Sequence, residues 1–169
     1  MIQGKLAVKL VLMVLMVLLY SSLVYAQGPG QTRKDKALTI AAGKGDLAKV
    51  KALLEQGANI NGSSGASAGS NPLWTAVTEG RVNVVQYLLE KGALQIPNML
   101  FDAAASGDVG IVKILIRHGA DVNYTDKWGH NAVFWATKNL IKDPKDERNR
   151  DRNRRYEEVI QVLKAAGAR

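Results

Sequence analysis

The sequence predicts an all-α solenoid of four stacked helix pairs behind an N-terminal export segment. Three observations carry that prediction. A Gly-Ala pair closes an amphipathic stretch four times, at Gly57-Ala58, Gly92-Ala93, Gly119-Ala120 and Gly167-Ala168. A second glycine stands twelve residues before the first three closing glycines, at Gly45, Gly80 and Gly107. Apolar residues between these glycines fall in columns: Val50, Val85, Val112 and Ile160 seven residues before the closing glycine, and Leu53, Leu88, Leu115 and Leu163 four before it. Positions three apart share one helix face, so every unit carries an apolar stripe. A single helix pair cannot cover both its faces, and neighbouring units must do so.

Composition agrees. With 47% hydrophobic and 22% charged residues in 169, the chain is a folding one. It has no cysteine, which excludes disulfides, thiolate metal sites and a cysteine nucleophile.

The first element is a targeting segment over residues 1–26. Lys5 and Lys9 give a positive start, Leu10 to Tyr20 is an uncharged apolar run, and Val24-Tyr25-Ala26 offers a peptidase cleavage site. The eleven-residue run rises only about 16 Å as a helix, roughly half a bilayer core. A cleaved signal peptide, and hence a periplasmic or secreted product, fits better than a retained anchor. Residues 27–35, with Gly28-Pro29-Gly30, read as a linker. Removing the two leader lysines lowers the formal charge from +8 to +6. An exported basic protein seldom meets nucleic acid, so an acidic protein partner or an anionic lipid surface is the expected counterpart.

The repeat domain then spans 36–169, in units of about 36–70, 71–97, 98–130 and 131–169. The first helix of each unit carries Leu38, Leu73, Leu100 or Val133, followed by a small pair: Ala41-Ala42, Ala76-Val77, Ala103-Ala104 and Ala136-Thr137. Asn71, Asn98 and Asn131 stand where an N-cap is needed, and Pro72 suits the first helical position. The closing glycines suit the left-handed residue that ends a helix. In the last unit Lys164 takes the place of Leu54, Leu89 and Ile116, which predicts a polar outer face and an end to the array there.

These residues resemble the ankyrin repeats. The proline-leucine start and small pair read Asn71-Pro72-Leu73-Trp74-Thr75-Ala76, and the unit ends read Gly57-Ala58-Asn59-Ile60-Asn61 and Gly119-Ala120-Asp121-Val122-Asn123. The likeness covers about Lys36 to Arg169. It implies helix pairs joined by protruding hairpin fingers, stacked into a curved slab, and a protein-recognition role without catalysis or cofactor, as a monomer or part of a hetero-complex.

The departures are informative. Successive closing glycines are 35, 27 and 48 residues apart, against about 33 for an ankyrin unit. The first step holds a loop, Gly62 to Ser70, rich in glycine and serine. It lacks the Gly-Lys-Ser/Thr of a phosphate loop and reads as a mobile solvated segment. In the second, Leu94-Gln95-Ile96-Pro97 replaces the finger and should leave a gap in the row of tips. The third connection, Asn123 to His130, is a full finger with Asp126 and Gly129 at its turn. Tyr124, Lys127, Trp128 and His130 are expected to point outward, and an exposed tryptophan there suits a contact hot spot.

The fourth unit has an insertion of net charge +3 over Ile141 to Arg155, including Arg148 and Arg152. Asp143-Pro144 looks like a helix start, which predicts one helix from about Pro144 to Ala166. That helix is either a solvated face or a basic arm for an acidic partner or lipid headgroups. Trp74, Phe101 and Phe134 share a column expected to fill the core. Asp102, beside Phe101, is expected at a concave rim or against a basic neighbour. No catalytic or metal constellation is present: His118 and His130 are isolated, with no His-x-x-x-His or Gly-x-Ser-x-Gly. The partner-binding candidates are Tyr124, Lys127, Trp128, His130, Asp102, Arg148 and Arg152.

Overall fold

The computed structural model describes residues 29–63, 71–140 and 147–169, the side chains of 29–32 and 147–148 excepted. The expected leader, the loop over 64–70 and the insertion over 141–146 lie outside the described residues. The described residues form eight helices in order: α1 (Pro29–Lys44), α2 (Leu47–Glu55), α3 (Pro72–Thr78), α4 (Val82–Glu90), α5 (Met99–Ser106), α6 (Val109–Arg117), α7 (Ala132–Lys138) and α8 (Glu147–Ala165). The described residues form no strand. The first helices of the units pack in one row, α1–α3–α5–α7, and the second helices in another, α2–α4–α6–α8.

Short helices of this kind need their ends satisfied. Asn71 and Asn131 accept the Trp74 and Phe134 backbone N–H at 2.7 and 3.1 Å. Asp46 and Asp108, which the sequence columns did not single out, cap α2 and α6 through Lys49 and Ile111 N–H at 3.0 Å. Each such cap is worth about 1 kcal/mol. At the other end, Gly57 N–H donates to Leu54 O and Ala58 N–H to Leu53 O, and the same pairing closes α4, α6 and α8. The closing glycines have φ of 83°, 85°, 90° and 97°, where a Cβ would be strained.

Leu38, Leu73, Leu88, Leu100, Leu115 and Leu163 are buried between the rows. Each contributes roughly 1.5–3 kcal/mol relative to exposure. A further column eight residues before the closing glycine, Val84, Ile111 and Val159, is also fully buried, whereas its first-unit member Lys49 is exposed. Lys164 is exposed, as its place in the outer column required.

Side-chain bonds fix the register between layers. Asn61 Oδ1 accepts the Leu94 N–H at 2.8 Å, and Asn123 Oδ1 accepts the Arg169 N–H at 3.1 Å. Both asparagines stand four residues after a closing glycine, and both donors two residues after the next one. Ile96 holds that place in the second unit, so the bond cannot form there. Instead Gln95 Nε2 donates to His118 O at 2.8 Å.

Three expectations are corrected. Residues 29–35 of the expected linker are helical, because α1 begins at Pro29. Proline suits a first turn, and the turn that follows is anchored: Asp35 is buried and accepts the Asn59 N–H at 2.7 Å, and Lys34 donates to Gln56 O at 2.9 Å. Asn98 does not cap α5, since its backbone is already helical at φ −70°, ψ −15°. The shortened connection bends straight into the helix, with Met99 N–H donating to Ile96 O at 3.0 Å. The aromatic column is core only in part: Phe101 is buried, Trp74 half-covered, and Phe134 39% exposed. Phe134 is covered on one face by the His130 imidazole and open on the other.

The expected long helix is present as α8 over Glu147–Ala165, while its expected start at Pro144 lies outside the described residues. Tyr156 ties it to the third unit. The ring is buried, its hydroxyl donates to Ala105 O at 3.1 Å, and it lies where a Cβ at Gly107 would stand 3.0 Å away.

Candidate functional site

The finger between the third and fourth units is built around Asp126. Its backbone N–H donates to His130 O at 2.9 Å, and its Oδ1 accepts the N–H of Trp128 and of His130, both at 2.9 Å. Gly129, at φ 80°, completes the turn. Cover by the turn raises the Asp126 pKa, but the two backbone donors and the nearby His130 outweigh it and hold the carboxyl below its ordinary range.

This turn presents Trp128 to solvent at 67% exposure, with Lys127 Nζ 4.4 Å from its ring centre. His130 points outward only in part, its side chain 36% exposed. Its imidazole lies parallel to Phe134 at 3.7 Å between ring centres, edge-on to Trp135 at 6.1 Å, with Nδ1 3.4 Å from Asp126 Oδ2. An exposed Phe134 offers the imidazole an apolar face to cover, which solvent does not. Trp128, His130, Phe134 and Trp135 therefore form one aromatic cluster, of which Trp128 and Phe134 carry the open surface. Tyr124, 38% exposed, stacks on Phe101 at 5.7 Å.

Asp102 adjoins this surface on α5. It is half-buried, and its Oδ2 accepts the indole N–H of Trp74 at 2.9 Å from the preceding layer. The expected basic neighbour is not found among the described residues. Burial raises its pKa, and the indole bond offsets this only in part.

The shortened second connection does leave an opening. A cleft of about 160 Å³ is lined by Ile96, Pro97, Leu100, Asp121 and Tyr124, with Gln95 Oε1 buried and unpartnered beside it. Leu94, in the same connection, is 66% exposed. Arg152 lies on the other row, exposed on α8 with its guanidinium 5.8 Å from the Tyr156 ring, and is not brought to the finger. Arg148 is in α8, but its side chain lies outside the described residues.

The residue columns did not identify Phe134 as surface or Trp74 as the donor to Asp102. Both depend on which layer meets which, a fact spacing alone does not hold. Among the described residues no group of His, Asp or Glu is placed to hold a metal ion. No helix among them is long and apolar enough to cross a membrane.

Comparison with known proteins agrees with this architecture. The family pattern described as ankyrin repeats (3 copies) matches residues 15–99, and that described as ankyrin repeats (many copies) matches residues 100–141. This chain belongs to the ankyrin-repeat family, whose repeats are protein-interaction modules. It is 35% identical over 105 residues (52% of the chain) to the Protein fem-1 homolog CG6966 of Drosophila melanogaster. It is 35% identical over 103 residues (53% of the chain) to a putative ankyrin repeat protein of Rickettsia felis. Its similarity to the neurogenic locus notch homolog protein 1 of Xenopus laevis is 33% over 109 residues, 60% of the chain. The matches span 16%, 45% and 4% of those relatives' lengths.

Proposed function

We propose that this chain is an exported, non-catalytic protein-binding module, acting as an accessory or inhibitor-type partner of another envelope or secreted protein. The finger 124–130 and the open face of the first-helix row form the contact surface. One observation supports this most: Trp128 is 67% exposed at a loop tip whose turn Asp126 braces. An exposed aromatic on a pre-organised turn loses little entropy on binding and buries a large area, which is what binding hot spots need. Neighbouring Phe134 and Tyr124 extend the patch.

The test is photo-crosslinking from position 128 of the full chain in envelope extract, with and without Phe134→Ala. Recovery of one abundant adduct that Phe134→Ala diminishes supports the reading; diffuse labelling that ignores position 134 argues against it. Export is checked separately by sequencing the N-terminus of protein produced in a bacterial host. A start at Gln27 is expected, and retention of Met1 would argue for an anchor.

A second reading rests on α8, which exposes Arg150, Arg152, Arg154 and Arg155 within six residues. Such an arm suits anionic lipid headgroups. It predicts vesicle binding that fades between 50 and about 200 mM salt, as exposed charges are screened over about 8–10 Å.

A further inference from the structure

The chain carries 23 lysines and arginines against 15 acids, yet one half-buried carboxylate on its open face meets no cation among the described residues. Five aspartates of the described residues, buried or exposed, have backbone work: Asp35 holds Asn59, Asp46 and Asp108 cap helices, Asp121 holds Asn123 at 2.9 Å, and Asp126 builds the finger. Asp102 does none of this with its carboxylate. Its one protein donor is the Trp74 indole, and no lysine, arginine or histidine lies within 4 Å of it among the described residues.

Its surroundings are aromatic. Trp74 donates to it, Phe101 precedes it and stacks on Tyr124, and Trp135 holds the matching place one layer on. Trp135 Nε1 is itself buried without a partner. The places equivalent to Asp102 in the other units are Ile40, Thr75 and Trp135, none of them buried; Ile40 is 49% exposed. This column therefore faces the open side of the first-helix row.

A partly desolvated carboxylate without a counter-ion is unfavourable, as its raised pKa reflects. A cation supplied from outside would relieve it by pairing with the carboxylate. A lone carboxylate with no second acid or histidine beside it is a poor metal site. We infer that Asp102, bonded to the Trp74 indole on the open side of the first-helix row, receives a single arginine or lysine side chain of the bound protein, so that recognition here is of a basic residue. The inference rests on the protein-binding reading above and specifies its ligand chemistry.

The test is selection of a random twelve-residue phage-displayed peptide library on the full chain, on Asp102→Asn and on Trp128→Ala. Asn at 102 keeps an oxygen for the Trp74 indole and removes only the charge, and thermal melts check that both variants stay folded. Wild type should enrich peptides sharing one Arg or Lys. A winning peptide, read by fluorescence anisotropy, should bind Asp102→Asn at least tenfold more weakly. Replacing its basic residue by norleucine should cost the same on wild type and nothing further on Asp102→Asn. Winners without a basic residue, or with equal affinity for Asp102→Asn, overturn the inference. If those winners still lose affinity on Trp128→Ala, the binding-module reading stands while the inference falls. Loss on neither variant, or no enrichment at all, counts against both.

Discussion

The second and third inter-unit connections solve one problem in two ways. Both must carry the chain from a closing glycine to the next first helix and hold two layers in register. The third does it with the full finger, with Asn123 bonded in both directions: Nδ2 donates to Gly167 O at 3.1 Å, and Oδ1 accepts from Arg169. The second has Ile96 where that asparagine would be, and makes the tie with Gln95 alone. The longer route builds a protruding aromatic surface; the shorter one leaves a cleft. Layer stacking thus tolerates either, because the leucines beneath do most of the holding. The connections are free to differ in what they present to solvent.

Removing what both connections rest on should have the largest effect. Leu100 is buried beside the cleft and between the third unit and its neighbours. Leu100→Ala should lower stability by about 2–5 kcal/mol in urea unfolding. A loss under about 1 kcal/mol would show that the connections, not the core, hold the layers. Asn123→Ala removes the two-way tie and should cost about 1–2 kcal/mol, whereas Ile96→Ala, half-covered and without a polar tie, should cost less. Equal losses would erase the distinction between the two joints.

The two carboxylates at this surface should respond to acid in opposite directions. Asp126 is held below its ordinary range, so its contribution is present above the unfolded value near 3.9 and lost as pH falls through its lowered folded value. Asp102 is raised, so its unfavourable contribution at neutral pH is relieved as pH falls through that raised value. Carboxyl-carbon NMR titration should place Asp102 above and Asp126 below the free-aspartate midpoint. Asp102→Asn should melt at or slightly above wild type at pH 7, and a clear drop would mean the charge is already paired. Trp128→Ala should change stability by less than about 0.5 kcal/mol, since the ring is mostly exposed. A larger loss would mean the finger depends on its own tryptophan.

Much of the architecture was legible in the residues. Glycine pairs, leucine columns and the Asn71 and Asn131 caps read directly, because each depends on neighbours a few positions away. The Asn98 cap failed since the shortened connection changed the backbone that enters it, a constraint only the three-dimensional path imposes. His130 kept only part of its exposure because it stacks on a ring four residues ahead, Phe134. The Trp74–Asp102 bond joins residues 28 apart in sequence, and no local pattern marks such a pair. Site residues were recognisable as types, but not in their partnerships.

Tyr156 and Gly107 give the last helix a fulcrum. α8, about 28 Å long for nineteen residues, rests there on a ring seated against a residue that has no side chain to push back. Load applied at the arginine-bearing end would be delivered to the turn between α5 and α6, on the same helix that bears Asp102. Bulk at position 107 would push the Tyr156 ring off its seat, so this glycine serves the docking of α8 as much as the turn of the chain.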